Sequence, residues 1–355
     1  MTLHEDYRVI RDGAAMAELM PRGLIAVSGR DRRSYLQGLL TNDIEALQPG
    51  TGCYAAWLTP QGRMTTDLHV LESGDMLLLD VPAAVTSDVL RRLEQFIFSE
   101  DVQVGDLSDR LIGVGVHGPR AATVLEQALQ IASSLDQWPQ YRNARVAFGE
   151  MPIVVARIDQ LGVPGFVVYV DRPSEAGFRL ALQAAGAQGV SADAVTAARI
   201  EAGYPLYGID MTDDVIPLEA GIESRAISFS KGCYVGQEVV IRVLHRGHGR
   251  VVRKLVGLRL EGDDAGAGSA ASGVSVAGGA GAPPGTRLHV DGRDVGFVTS
   301  SAVSPERGCI ALAYVHRDFI EPGARVGVCV GVGAGSDPTA SPTATVTSLP
   351  FPTGA

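Results

Sequence analysis

The chain has 355 residues, 46% of them hydrophobic and 20% charged, with a formal net charge of −10. That leaves room for two or three globular domains with ample core, and the acidic balance argues against nonspecific binding to nucleic acid or to an anionic membrane. Cys53, Cys233, Cys309 and Cys329 form no Cys-x-x-Cys, and His245/His248 is the only histidine pair near zinc-site spacing, so neither a zinc site nor a four-cysteine cluster is expected. The polar start Met1 to Asp6 has no apolar h-region. No apolar run reaches the length of a membrane span. The expected setting is therefore a reducing cytoplasm.

Leu24–Val27 predicts a short strand, and Ser28-x-x-Asp31 has the spacing of a capping box. Tyr35, Leu36, Leu39 and Leu40 then repeat at helical spacing up to Thr41-Asn42-Asp43. Cys53–Leu58, a turn at Thr59-Pro60-Gln61-Gly62, and Arg63–Leu71 read as two strands, with another at Met76–Leu79. A helix is expected after Pro82, with Val85, Val89, Leu93, Phe96 and Ile97 on one face. Leu111–Val116, His117-Gly118-Pro119-Arg120 and the following helical pattern echo residues 24 to 40, as a duplicated α+β unit would. Helices are expected at Phe178–Ala185 and Ala192–Ala202.

From Val251 the pattern becomes short strands with turn signals, as in a small barrel. The fold class is thus α+β: two α+β units, then a C-terminal β-barrel. The expected boundaries are 1–110, 111–250 and 251–332, with a flexible Gly/Ala/Ser-rich insertion at 262–284 and a disordered, dispensable tail at 333–355. Gly113, Gly115 and Gly118 meet a dinucleotide-loop spacing, but no strand is evident near Asp136 to complete it. No Gly-x-Ser-x-Gly elbow supports serine hydrolase chemistry.

The stretch Ser230-Lys231-Gly232-Cys233-Tyr234-Val235-Gly236-Gln237-Glu238 concentrates the reactive chemistry. It sets one thiol between two glycines, ahead of a helix expected from Gln237 to Leu244. Glu238 and Arg242 lie four residues apart in that helix, acid before base. A helix N-terminus and the Lys231 ammonium would both favour the thiolate of Cys233. The plainer alternative is a small buried core thiol. After this helix, His245, Arg246, His248 and Arg250 form a basic patch suited either to an anionic ligand tail or to a solvated turn.

Lys-Gly-Cys-Tyr-x-Gly-Gln-Glu resembles the signature of the YgfZ family of folate-binding proteins. These are relatives of the glycine cleavage aminomethyltransferase that act in iron–sulfur cluster assembly or repair. The likeness extends over most of the chain. It includes Leu36-Gln37-Gly38-Leu39-Leu40-Thr41-Asn42-Asp43, Arg199-Ile200-Glu201-Ala202-Gly203-Tyr204-Pro205-Leu206-Tyr207-Gly208-Ile209-Asp210 and Pro217-Leu218-Glu219-Ala220-Gly221. The resemblance implies tetrahydrofolate, or a one-carbon derivative of it, as cofactor. Glu201 is then expected to contact the pterin, with Asp67, Tyr207 and Gln237 also in the folate site and Cys233 and Lys231 at the chemical centre. The implied partners are iron–sulfur proteins or their assembly factors. One departure stands out: where aminomethyltransferases carry paired aspartates, this chain has Thr66-Asp67. Three readings stay open: a folate-binding iron–sulfur maintenance protein, a folate-dependent aminomethyl or one-carbon transferase, and a binding scaffold with an inert Cys233.

Overall fold

The computed structural model describes residues 2–245, 249–261, 282–329 and 342–352. Most of the expected insertion, residues 333–341 and 353–355 of the expected tail, and the side chains of His245, Arg246 and His248 lie outside the described residues.

Helix α1 (Leu3–Asp12) opens the chain, followed by the two-residue strand β1 (Ala15–Met16). A reciprocal cap starts α1: Thr2 Oγ1 accepts from the Glu5 amide, and the Glu5 carboxylate accepts from the Thr2 amide. The first sheet is built from β2 (Arg22–Ser28), β3 (Gly52–Leu58), β4 (Met64–Glu72), β5 (Met76–Pro82) and β6 (Gln103–Asp106). It is antiparallel, in the order β3-β4-β5-β2-β6. Helices α2 (Arg32–Leu39) and α3 (Thr86–Gln95) cover one face. The Ser28-x-x-Asp31 box does not form; the Asp31 carboxylate accepts from the Asp101 amide instead. Helix α3 ends before Phe96, which is exposed rather than core.

The second sheet holds β7 (Leu111–His117), β8 (Asn143–Phe148), β9 (Met151–Arg157), β10 (Gly165–Asp171) and β11 (Gln188–Gly189). Its order is β11-β1-β7-β10-β9-β8. Helices α4 (Ala121–Leu129) and α5 (Glu175–Ala184) pack on one side of it. Strand β1 pairs with β7 and β11, and α1 packs on α6 (Ala192–Glu201) through Tyr7, Ile10, Ala194 and Ala198. Residues 3–17 therefore pack with the second sheet and α6, across the boundary expected at 110.

A second correction concerns the end of the unit expected at 111–250. Helices α7 (Pro217–Ala220), α8 (Glu223–Ala226) and α9 (Gln237–His245) return to the first sheet. Leu218, Ala226, Tyr234 and Val240 share a core with Tyr54, Ala56, Leu58 and Met64 of β3 and β4.

The barrel comprises β12 (Arg253–Glu261), β13 (Arg287–Val290), β14 (Arg293–Ser304), β15 (Gly308–His316), β16 (Arg325–Val328) and β17 (Thr343–Thr347). It closes in the order β12-β15-β14-β13-β16-β17. Strand β17 lies inside the expected tail, pairs with both β12 and β16, and buries Ala344 and Val346. Phe351 beyond it fills the core next to Leu255 and Tyr314. The Thr/Ser/Pro composition conceals a period-two pattern, Thr-Ala-Thr-Val-Thr, whose small residues suit a barrel interior.

Candidate functional site

Strand alternation decides which side chains meet between the two sheets. On the first sheet, Ile25, Val27, Leu68, Val70, Leu77 and Leu79 point to the helices. Arg22, Asp67, His69 and Asp80 have the opposite parity and turn to the other face. On the second sheet, Val114, Val116, Phe166 and Val168 face α4 and α5. Gly113, Gly115, His117, Val167 and Tyr169 take the other side. Leu24, Leu71 and Leu78 pack against Ala156, Ile158 and Tyr169 across this boundary. Beside that seam lies a polar cavity of about 560 Å³ with its mouth counted, walled by Arg22, Asp67, Asp80, His117, Gln160 and Tyr204.

Its charges are buried and largely paired. Arg22 Nε donates to Asp80 Oδ1 at 2.6 Å, and Arg22 Nη2 donates to the Asp80 carbonyl at 2.6 Å. Tyr169 OH donates to Asp80 Oδ2 at 2.6 Å, and His69 Nδ1 lies 3.6 Å from the same oxygen. Burial by itself raises the Asp80 carboxyl, but the Arg22 guanidinium and the His69 and Tyr169 contacts outweigh it and hold the group well below the usual carboxylate range. Asp67, 3% exposed, accepts from Tyr54 OH at 2.8 Å through Oδ2. Its Oδ1 has no hydrogen-bond partner among the described residues; the nearest cation, Arg22 Nη1, stands 3.9 Å away. Arg225 stacks on Tyr204 and Tyr54, its guanidinium carbon 4.2 and 5.1 Å from the ring centroids.

The residues expected from sequence do not form one constellation. Only Asp67 among them lines the cavity. Glu201 does not: its Oε2 accepts from Tyr7 OH at 2.7 Å and from Arg11 Nη2 at 2.5 Å, beneath α1. The N-terminal helix thus takes one oxygen of the carboxylate that the resemblance gave to a pterin, while Oε1 has no hydrogen-bond partner among the described residues. Tyr207 sits in an apolar core with Tyr54, Ile200 and Met211, where burial pushes its hydroxyl up to about 12. Gln237 opens α9 and its amide donates to the Tyr234 carbonyl at 3.2 Å, beside Cys233 and away from the cavity lining.

Lys231 also has a different job from the one expected. Its Nζ donates to the carbonyls of Gln37, Leu40 and Asn42 at 2.5, 2.7 and 2.9 Å. These are the carbonyls left open where α2 ends, and an ammonium there satisfies them and meets the negative end of the helix. Burial pulls the ammonium down to about 8. The Val235 amide donates to the Gly38 carbonyl and the Ser228 amide to the Thr41 carbonyl, so the Leu36–Asp43 and Lys231–Glu238 stretches lock together. Gly236 has φ +84°, and a Cβ there would stand 2.6 Å from the Thr59 carbonyl oxygen. Gly232 has neither constraint. Cys233 is exposed, not the buried thiol of the plainer alternative, and precedes α9 by four residues. Cys53 is the buried one, its thiol pushed up to about 12 by burial.

These contacts make Lys231 an anchor rather than an activator. Lys231→Met should lower stability by about 1–3 kcal/mol, since a buried acceptor set loses its charged donor. The Cys233 alkylation rate in the folded protein should stay within roughly twofold of wild type. Site-resolved iodoacetamide labelling beside thermal unfolding checks both; a large drop in the Cys233 rate would restore Lys231 as its activator.

Sequence reasoning passed over Arg22, Asp80 and His117, which line the cavity, and His69 and Arg225, which contact its wall residues Asp80 and Tyr204. Four of them could have been found as charged or imidazole side chains on strands whose alternate positions are apolar.

An antiparallel sheet and a mixed sheet, each covered by helices, with a cavity lined by Arg22, Asp67, Asp80 and His117 between them, followed by a closed six-stranded barrel, define the class of protein. Residues 1–231 match the GCVT N-terminal domain, and residues 253–351 match the glycine cleavage T-protein C-terminal barrel domain. The chain belongs to the glycine cleavage T-protein family. It is 30% identical over 334 residues to an aminomethyltransferase of Nostoc sp., covering 90% of this chain and 81% of the relative. It is 31% identical over 312 residues to an aminomethyltransferase of Rubrobacter xylanophilus, covering 87% and 78%. In three dimensions it resembles the glycine cleavage system aminomethyltransferase T from Bartonella henselae. The TM-score is 0.81 at 21% identity, over 98% of this chain and 89% of that one, which is a likeness of fold. Among the described residues no helix is long and apolar enough to cross a membrane.

Proposed function

We propose that the protein binds a reduced folate in the cavity between its two α+β sheets and takes part in folate-dependent one-carbon chemistry of the aminomethyltransferase kind. The observation that carries this reading is the unpaired Oδ1 of buried Asp67 on the wall of that cavity, in a chain whose relatives are named aminomethyltransferases. A buried carboxylate oxygen without a donor is costly and suits a ligand that brings N–H groups, as a pterin does. When bound, tetrahydrofolate supplies the nitrogen atoms that accept a one-carbon unit. Asp67 orients it, and Arg22, Asp80 and Tyr54 hold Asp67 in place. Tetrahydrofolate should bind the wild type, and Asp67→Asn should weaken it by about 1.5–3 kcal/mol, the worth of a charge-assisted hydrogen bond. Calorimetry tests the binding, and turnover of an aminomethyl donor with tetrahydrofolate tests the transfer. Absence of binding by the wild type sinks the reading.

A second reading keeps the folate site but moves the chemistry to Cys233: a YgfZ-type protein of iron–sulfur cluster assembly or repair, in a reducing cytoplasm, with iron–sulfur proteins or their assembly factors as partners. It is favoured by the exposed thiol on a loop held by Lys231, Tyr234 and Gly236, and by Thr66 at one of the two positions that are aspartates in the aminomethyltransferases. Lys231 and Gln237 then position the loop. Cys233→Ser keeps the volume and removes the soft sulfur. Under this reading the variant binds folate normally and fails to restore iron–sulfur enzyme activities in a strain lacking the protein. Full complementation by that variant, together with aminomethyl turnover, would leave the transferase reading alone.

A further inference from the structure

His117 closes β7 and is 1% exposed, yet it lines the cavity, and its Nδ1 has no hydrogen-bond partner among the described residues. Its ring is flanked by two glycines. A Cβ at Gly165 would come 2.3 Å from Nδ1, and one at Gly115 would come 2.9 Å from Nε2. No carboxylate pairs with it, and burial pushes the imidazole down to about 4, so at neutral pH it offers one N–H donor and one bare nitrogen. An apolar residue would fill the same wall without the cost of an unsatisfied polar atom. Asp67, on the sheet opposite, lines the same cavity, and its Oδ1 has no hydrogen-bond partner among the described residues. The carboxylate accepts only from donors, whereas a neutral imidazole meets either a donor or an acceptor. Together they match a flat heterocycle whose edges carry both.

We infer that His117 is a specificity residue of this cavity, forming a hydrogen bond with the pterin edge of a bound reduced folate from the wall facing Asp67. This rests on the folate-binding reading above. A heterocycle that lacks the matching group leaves the imidazole nitrogen unpaired again and is rejected.

The test titrates 5-formyltetrahydrofolate into the full-length wild type, His117→Gln and His117→Phe by calorimetry, and follows the imidazole nitrogens of the wild type by nitrogen NMR. His117→Phe should lose about tenfold or more in affinity, while the amide of His117→Gln, itself a donor and an acceptor, keeps most of it. The His117 nitrogen resonances should shift on binding. Wild-type binding with equal affinity in both variants and unmoved resonances overturns the role of His117 and leaves the folate reading intact. If the wild type does not bind, the folate reading fails and this inference fails with it. Should His117→Phe not fold, the glutamine variant and the resonances decide: weak binding by His117→Gln with unmoved wild-type resonances counts against the inference.

Discussion

Removing residues 330–355 should cost the protein its folded barrel and with it most of its stability. The deletion takes away β17, which pairs with β12 over Gly257–Glu261 and with β16 over Arg325–Gly327. Two strands of a closed barrel then become edges with unpaired amides and carbonyls. It also strips Ala344 and Val346 from the barrel core and Phe351 from the core shared with β3, β12 and β15. Burying a Val or Phe side chain contributes about 1.5–3 kcal/mol each, against a total stability of about 5–15 kcal/mol for a typical domain. Phe351 has a further role, because its amide donates to the Glu201 carbonyl at the end of α6 and ties the barrel to the second sheet. Phe351→Ala alone should therefore lose about 3–5 kcal/mol, while the truncated chain should aggregate or unfold at ambient temperature. Thermal and denaturant unfolding of the two variants measure this. An unchanged melting temperature for the truncation would mean that β17 is not part of the barrel in solution.

Asp80→Ala should be the most damaging single change at the cavity. Among the described residues Asp80 is the only carboxylate within hydrogen-bond distance of the buried Arg22 guanidinium, and it also accepts from Tyr169. Breaking a buried pair by removing one partner costs about 3–5 kcal/mol, because the remaining charge is stranded out of water. The nearest remaining carboxylate, Asp67 at 3.9 Å, would be drawn toward Arg22, so folate binding should fall as well. The same pair sets an acid limit. The folded-state value of Asp80 lies below its unfolded value, so its stabilisation is fully present above the unfolded value of about 4 and is lost as pH falls through the folded one. In the variant, the slope of stability against pH should be shallower on the acid side of about pH 4. Arg22→Met with Asp80→Leu, which removes both charges, should recover much of the loss. If the double variant is no better than Asp80→Ala, the cost is in packing rather than in the stranded guanidinium.

The local patterns in the sequence determined most of the elements and the two-part architecture. Short apolar runs bounded by turn residues marked β2 to β5 and β7, and turn signals between short strands marked the barrel. The spacing of apolar residues marked α2 and α3, and the four-residue step from Glu238 to Arg242 marked α9. Helix α1 was not expected from the polar start, although Thr2 and Glu5 stand at the spacing of a capping box. Long-range partners were decided only by the tertiary structure. A strand reports which of its faces is apolar, but not whether the other face meets water or another sheet. The second sheet packs on the polar parity of the first, and that buries Asp67, His69 and Asp80 and sets Asp67 and Asp80 in the wall of a cavity. Glu201 and Lys231 show the same limit. Each stands in a motif that drew a chemical role, yet α1 holds the carboxylate and the end of α2 holds the ammonium, and these contacts span 194 residues between Tyr7 and Glu201 and 191 between Leu40 and Lys231. Composition misread the C-terminal stretch because a barrel strand of alternating Thr, Ala and Val gains its stability from closing a ring of hydrogen bonds. That gain depends on where β12 and β16 lie, which no local window of sequence records.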